Sequence, residues 1–141
     1  GNFPIWVATE LFSFGMLSFF YRDLKTADKK EIARDLYKTT YGNLDSWLRC
    51  CTDLRNICAH YGRLYYRVFS AVPATPKGFP VVLQRSLFDN IVMLKFLYPD
   101  RDRWNSEVLS AIIALLEEYA GDIELSHIGF PDNWEELLRA K

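Results

Sequence analysis

Apolar residues recur along this chain at the three- and four-residue spacing of amphipathic helices. No stretch long enough for a strand shows the alternation of apolar and polar residues that is typical of a half-buried β-strand. Proline, glycine and capping residues divide the pattern into segments. The predicted helices cover residues 4–21, 28–39, 44–65, 80–98, 105–119 and 131–139. The first is apolar nearly all round, which predicts deep burial. Since no internal repeat is present, we expect one all-α domain over residues 1–141, a bundle of five to six helices.

The composition also favours a packed domain. Half of the 141 residues are hydrophobic and 16% are aromatic, which excludes a disordered tail or a linker. No apolar run reaches the roughly 18 residues of a membrane span. The three cysteines, Cys50, Cys51 and Cys58, do not form a disulfide framework. We therefore expect a cytoplasmic protein in a reducing compartment, with no membrane contact.

Charge is distributed unevenly, although the formal net charge is only −1. Residues 49–67 contain four arginines and one aspartate, whereas residues 100–141 contain ten acidic and four basic residues. A basic centre of this kind is typical of a site for anions. A solvated surface whose charges happen to segregate would explain the same distribution equally well.

The predicted helix 44–65 separates two kinds of side chain when its residues are placed 100° apart. One side is an apolar core stripe that contains Trp47, Cys51, Leu54, Cys58, Tyr61 and Tyr65. The other side, the polar stripe, contains Arg49, Asp53, Asn56, His60, Arg63 and Arg67. Arginine binds phosphate through its planar fork, and histidine exchanges a proton near pH 7. The polar stripe therefore predicts phosphate chemistry, unless it is a solvated surface or docks on another subunit.

Arg55–His60 forms an Arg-x4-His motif with Asn56 directly after the arginine. Arg55 lies beside the apolar stripe, whereas Asn56 and His60 lie in the polar stripe. The motif resembles that of the HEPN superfamily (higher eukaryotes and prokaryotes nucleotide-binding). The surrounding sequence is similar to the Abi-like family of bacterial abortive-infection proteins. Three further blocks follow that family's pattern, at residues 6–15, 87–97 and 129–134. Members of the family are usually longer, so the resemblance implies that this chain is their C-terminal part.

The resemblance implies a metal-independent endoribonuclease that needs no cofactor. Arg55 and His60 would be the catalytic pair, and Asn56 would orient a phosphate or His60. In this chemistry a ribose 2′-OH attacks the adjacent phosphate, while the histidine acts as general acid or base and the arginine stabilises the phosphorane. Three arginines would bind flanking RNA phosphates: Arg49, Arg63 and Arg67.

The resemblance also implies partners and a biological setting. RNA would be the substrate, and two copies of the motif would meet across the two-fold axis of a homodimer. The setting would be defence against phage or a toxin–antitoxin pairing, with an antitoxin as a further partner.

Helical geometry separates Arg55 from His60, because residues five apart on an ideal helix differ in direction by about 140°. The two side chains can therefore share a pocket only under one of three conditions. The helix bends or loosens near residues 59–62, the long arginine side chain spans the difference in direction, or a partner subunit completes the pocket. Two other functions remain open. The bundle could bind RNA, a nucleotide or a protein without cleaving it. Alternatively, the polar stripe could be a dimer seam in which Arg55 pairs with Asp53 or Asp89.

The remaining candidate residues have weaker patterns. The cysteines lack C-x2-C spacing, and adjacent helical residues diverge by about 100°, so no metal site is expected. His127 is isolated in the sequence and is predicted to be a surface histidine. Among the tyrosines that follow the motif, Tyr61 and Tyr65 fall on the core side, and Tyr66 is a weak candidate for stacking on an RNA base.

Overall fold

The computed structural model describes residues 13–141, and within that range the regular structure is helical, without strands. The helices are α1 (Phe14–Asp23), α2 (Thr26–Tyr37), α3 (Tyr41–Ala59), α4 (Leu87–Leu97), α5 (Arg101–Arg103), α6 (Ser110–Glu118) and α7 (Trp134–Leu138). A π-helical segment, Trp104–Leu109, joins α5 to α6, and a 3-10 turn covers Leu125–Ile128. The predicted all-α class is confirmed. Among these helices, none is long and apolar enough to cross a bilayer.

Helices α1, α2 and α3 pack around a first apolar cluster. Its buried members are Tyr21, Ala33, Leu44, Trp47, Cys50 and Met93. The indole Nε1 of Trp47 donates a hydrogen bond to the carbonyl oxygen of Ala74 at 2.7 Å, so the polar atom of this buried ring is satisfied. The same bond fastens the loop that follows α3 to the helix itself.

Helix α4 separates this cluster from a second one. Met93 packs into the first cluster, whereas Phe88 and Val92 belong to the second. The other buried members of the second cluster are Leu83, Trp104, Leu109, Ile128, Phe130, Leu137 and Leu138. Burial on both sides requires a helix that is apolar nearly all round, which is the pattern of residues 87–97.

The π-helical segment anchors the last residues of the chain. Trp104 donates from its indole Nε1 to the carbonyl oxygen of Leu138 at 2.8 Å. The side-chain amide of Asn105 makes two hydrogen bonds to the main chain of Ala140, at 2.8 and 2.9 Å. Residues 138–140 are therefore held against the second cluster by both packing and hydrogen bonds.

Three helices are shorter than predicted, and one of them is α7, which covers Trp134–Leu138 rather than residues 131–139. Helix α4 begins at Leu87 rather than at residue 80, because Ser86 and Asp89 form a capping box at its first turn. The hydroxyl of Ser86 accepts the Asp89 N–H, and the Asp89 carboxylate accepts the Ser86 N–H. Helix α3 ends at Ala59 rather than at residue 65, and its ending shapes the candidate site.

The predicted deep burial of the first helix is wrong for its described part, Phe14–Asp23. Met16 and Phe19 are 50% and 55% exposed, and among the residues of α1 only Tyr21 is buried. A Cβ on Gly15 would lie 3.6 Å from Thr52 of α3. One face of α1 therefore contacts the bundle, and its other apolar residues face outward. Residues 4–12 of the predicted helix lie outside the described residues.

Candidate functional site

Helix α3 ends in a Schellman motif within the Arg-x4-His region. Tyr61 N–H bonds the Cys58 carbonyl at 3.1 Å, and Gly62 N–H bonds the Ile57 carbonyl at 2.7 Å. Tyr61 takes the left-handed conformation, with φ at +53°, in the position where such motifs usually place glycine. A Cβ on Gly62 would lie 2.8 Å from Ile57 Cγ2 and 2.9 Å from the Ile57 carbonyl oxygen. Gly62 therefore permits the close approach that ends the helix.

Two members of the predicted core stripe are placed wrongly. Tyr61 is 97% exposed, and Cys58 is also exposed. The placement of Tyr61 assumed a helix that continued to residue 65, whereas the helix stops at Ala59 and the next residues leave its axis. Cys58 lies inside the last turn of α3, where its side of the helix faces solvent. The earlier members Trp47 and Leu54 are buried as predicted.

The three predicted catalytic residues occupy the last turn of α3 and its C-cap. Arg55, Asn56 and His60 are all exposed. Arg55 Nη1 donates to Asn56 Oδ1 at 3.2 Å, and the backbone N–H of His60 bonds the Asn56 carbonyl at 3.1 Å. His60 has φ −97° and ψ 20°, which is not a helical conformation. The helix thus ends at Ala59, and the chain leaves the helical path after His60.

Neither Asp53 nor Asp89, the two predicted acidic partners, pairs with Arg55 in the described part of the chain. Asp89 is buried at the first turn of α4, where its carboxylate accepts hydrogen bonds from Ser86. Within residues 13–141, Arg55 forms no ion pair with Asp53 or with any other carboxylate. Its guanidinium is hydrogen-bonded instead to the side-chain amide oxygen of Asn56.

Two of the three arginines predicted to bind RNA come together beyond the helix. Arg63 and Arg67 line a pocket of about 250 Å³ with Tyr65 and Val68. Arg67 Nε donates to the Arg63 carbonyl oxygen at 2.9 Å, which fixes one arginine against the backbone of the other. Arg49 is exposed on α3 but does not line this pocket.

A cluster of aromatic side chains beside this pocket was missed from the sequence. The Tyr65 hydroxyl lies 3.2 Å from His127 Nδ1 and accepts the Glu124 N–H at 3.0 Å. The Tyr66 hydroxyl lies 3.1 Å from His127 Nε2, and the Tyr66 and His127 rings stack with centroids 4.3 Å apart. Glu124 Oε2 is also 3.1 Å from His127 Nε2. His127 is therefore a half-buried ring that fastens the 3-10 turn to the segment after the motif.

Partial desolvation raises the pKa of Tyr66, with smaller contributions in the same direction from Tyr65 and Glu124. Tyr66 also has a positive φ of +59°. Tyr66 was a candidate for stacking on an RNA base, but one face of its ring stacks on His127 instead. Because 61 residues separate the two rings, no local pattern could have indicated this contact.

Residues 1–66 match the family model described as Abi-like protein. The match supports the resemblance to the Abi-like family. It includes the whole of Arg55–His60 and ends at Tyr66, inside the aromatic cluster. The blocks at residues 87–97 and 129–134 lie beyond it, and part of the block at 6–15 lies outside the described residues. No curated protein and no solved structure matches the chain.

Burial affects the thiols of Cys50 and Cys51, which lie within the matched residues 1–66. Burial raises the pKa of Cys50 to about 11, and burial also raises the pKa of Cys51. Both thiols are therefore poor nucleophiles at neutral pH. In the part of the chain that the structure describes, no group of three or more His, Cys, Asp or Glu side chains could hold a metal ion.

Proposed function

We propose that this protein is a metal-independent endoribonuclease of the HEPN type that acts in abortive infection. The observation that carries the proposal is the end of α3, where Arg55, Asn56 and His60 are exposed within the Abi-like match and are followed along the chain by the arginine-lined pocket. These polar side chains contribute little to the packed core. Their residue types suit RNA phosphate chemistry.

The ending of α3 bears on whether Arg55 and His60 can share a cleft. On a continued helix, Arg55 and His60 would point in directions about 140° apart. His60 keeps the helical N–H bond to the Asn56 carbonyl at 3.1 Å, so this angular separation persists, and the long Arg55 side chain or a partner subunit has to bridge it. A second copy of the chain would complete the cleft across a two-fold axis.

Each side chain has a role in the proposed reaction. His60 takes the proton from the ribose 2′-OH as its oxygen attacks the adjacent phosphorus, or gives a proton to the leaving 5′ oxygen as the P–O5′ bond breaks. Arg55 stabilises the charge that develops on the phosphorane. Asn56, whose Oδ1 accepts a hydrogen bond from Arg55, orients that guanidinium. Arg63 and Arg67 bind flanking phosphates at their pocket, and Arg49 extends the basic surface along α3.

An RNA cleavage assay in EDTA tests the proposal with wild type, Arg55→Ala and His60→Ala. Arg34→Ala is the matched control, because it removes an exposed arginine from α2 that pairs with Asp35. We expect cleavage by wild type and the control, and a loss of at least about 100-fold in both motif variants, the size typical of lost general acid–base or electrostatic catalysis. Undiminished cleavage by folded His60→Ala would exclude this mechanism.

A second candidate function is RNA binding without cleavage. The observation that favours it is the Arg63–Arg67 pocket, whose lining includes neither Arg55 nor His60. A binding module would keep RNA affinity in His60→Ala and lose it in Arg63→Ala, with no cleavage by any variant. Measuring oligomeric state in the same preparations tests whether the motif lies at a homodimer interface, and adding a candidate antitoxin tests the further partner.

A further inference from the structure

A second, larger cleft lies away from the α3 end, between the C-terminal end of α2, the C-terminal end of α4 and the last residues of the chain. Its volume is about 730 Å³, within the range of about 300–1,000 Å³ typical of small-molecule sites. The cleft is not used by the proposed nuclease. Its lining combines basic groups with aromatic rings.

The charges that line this cleft are mostly positive. Lys38, Lys95 and Lys141 line it and form no ion pair within residues 13–141, whereas Glu136 is an acidic residue in the lining. Arg101 also lines the cleft and donates to the main-chain oxygen of Lys141. The excess of positive charge therefore remains after these contacts, and it favours a ligand with more than one negative charge.

Lys95 is the best-positioned of these cations. Its Nζ donates to the Leu137 carbonyl oxygen at 2.8 Å, which leaves two further donors on the ammonium group. Its pKa is lowered, chiefly by burial and then by the positive charges of Lys141 and Arg101. Among residues 13–141 no carboxylate forms an ion pair with Lys95, so an anion bound beside its ammonium group would relieve this electrostatic cost.

Aromatic rings also line the cleft, and the Phe96 ring centroid lies 5.5 Å from Lys95 Nζ. Phe96 packs between Trp47 and Phe79, with ring centroids 5.9 and 6.0 Å away, and Tyr98 packs on the edge of Trp104. The core contacts hold these rings in fixed positions. A planar group could pack beside them at little cost in side-chain entropy.

We propose that this cleft binds a phosphate monoester that carries an aromatic ring system, with the phosphate beside Lys95 and the ring against Phe79, Phe96 and Tyr98. A phosphate monoester has a charge of about −1.5 to −2 at pH 7, which suits the unpaired lysines better than a single carboxylate does. Mononucleotides belong to this ligand class. The site is independent of the proposed RNA cleavage.

Calorimetric titration with four probes tests this site: adenosine monophosphate, flavin mononucleotide, adenosine and inorganic phosphate. We expect the monophosphate to bind at least about tenfold more tightly than either fragment, because each fragment makes only part of the proposed contacts. Equal binding of adenosine and its monophosphate would overturn the proposal, and so would equal binding of inorganic phosphate. The absence of binding by both adenosine monophosphate and flavin mononucleotide at millimolar concentration would also overturn it.

Two variants locate the binding. Lys95→Met keeps most of the apolar stem but removes the ammonium group, and we expect about tenfold weaker binding of adenosine monophosphate. Lys77→Met is the matched control, because Lys77 is exposed in the loop before α4 and does not line the cleft. If Lys95→Met does not fold, Lys141→Met replaces it. Binding that is equally tight in the control and in the lysine variant would place the ligand elsewhere and refute the proposal.

Discussion

The N-terminal end of α4 and the C-terminal end of α3 both carry polar side chains, but they differ in burial and bonding. At α4, Asp89 and Asn90 are 5% and 1% exposed. Asp89 bonds both the N–H and the hydroxyl of Ser86, and the Asn90 amide donates to the Ser86 carbonyl at 2.9 Å. At α3, Arg55 and Asn56 are exposed, and the side-chain bond they make is with each other.

This difference separates polar residues that serve folding from those that are free to serve function. Buried polar groups require hydrogen-bond partners, and losing a partner costs stability. The α4 group is therefore part of the core, although Asn90 Oδ1 is buried without a partner among residues 13–141. The α3 group stays in water, so its side chains remain available to bind a ligand.

Replacing Asp89 by alanine gives the largest expected effect. The variant removes the acceptor for two Ser86 donors and breaks the capping box, so we expect the free energy of unfolding to fall by about 2 kcal/mol. Urea unfolding followed by circular dichroism measures the change. Asp89→Asn keeps one acceptor oxygen and should lose about half as much. A loss below about 0.5 kcal/mol for the alanine variant would mean that the polar side chains at the start of α4 contribute no more to stability than those at the end of α3.

Replacing Tyr61 by glycine should stabilise the protein. Tyr61 has a positive φ and a side chain that is 97% exposed, so the substitution relieves backbone strain and loses little packing. Glycine also has a greater entropy in the unfolded chain, which offsets part of this relief. We therefore expect the free energy of unfolding to rise by about 0.5 kcal/mol. Thermal unfolding measures it. Gly62→Ala is the opposing control, because its Cβ would overlap Ile57 and should lower the melting temperature. A destabilised Tyr61→Gly would mean that the tyrosine ring has a structural contact.

Local periodicity predicts the fold class and much of α3, because Trp47 and Leu54 follow the helical repeat into the core. It does not predict where α3 ends. The left-handed C′ position holds Tyr61, whereas the glycine that signals a helix end comes one residue later. Gly62 was the available signal, and its proximity to Ile57 is a property of the folded turn.

Contacts between distant segments limit the prediction of sites more strongly. His127 seemed isolated in the sequence because Tyr65 and Tyr66 are about 60 residues away along the chain. The larger cleft likewise combines Lys38 from the end of α2 with Lys95 from α4. Neither arrangement leaves a spacing pattern in the sequence, since tertiary packing creates both.

The smallest expected effect on stability is at the α3 end, and it distinguishes a functional surface from a structural seam. Arg55→Gln and Asn56→Ala change exposed side chains, so the free energy of unfolding of each should stay within about 0.5 kcal/mol of wild type. Under the proposed function the same variants lose RNA cleavage. Urea unfolding at several protein concentrations measures both stability and any dimer contribution. A concentration-dependent loss of stability in both variants would identify the polar stripe as a dimer seam, whereas unchanged stability with lost cleavage would assign these side chains to the reaction.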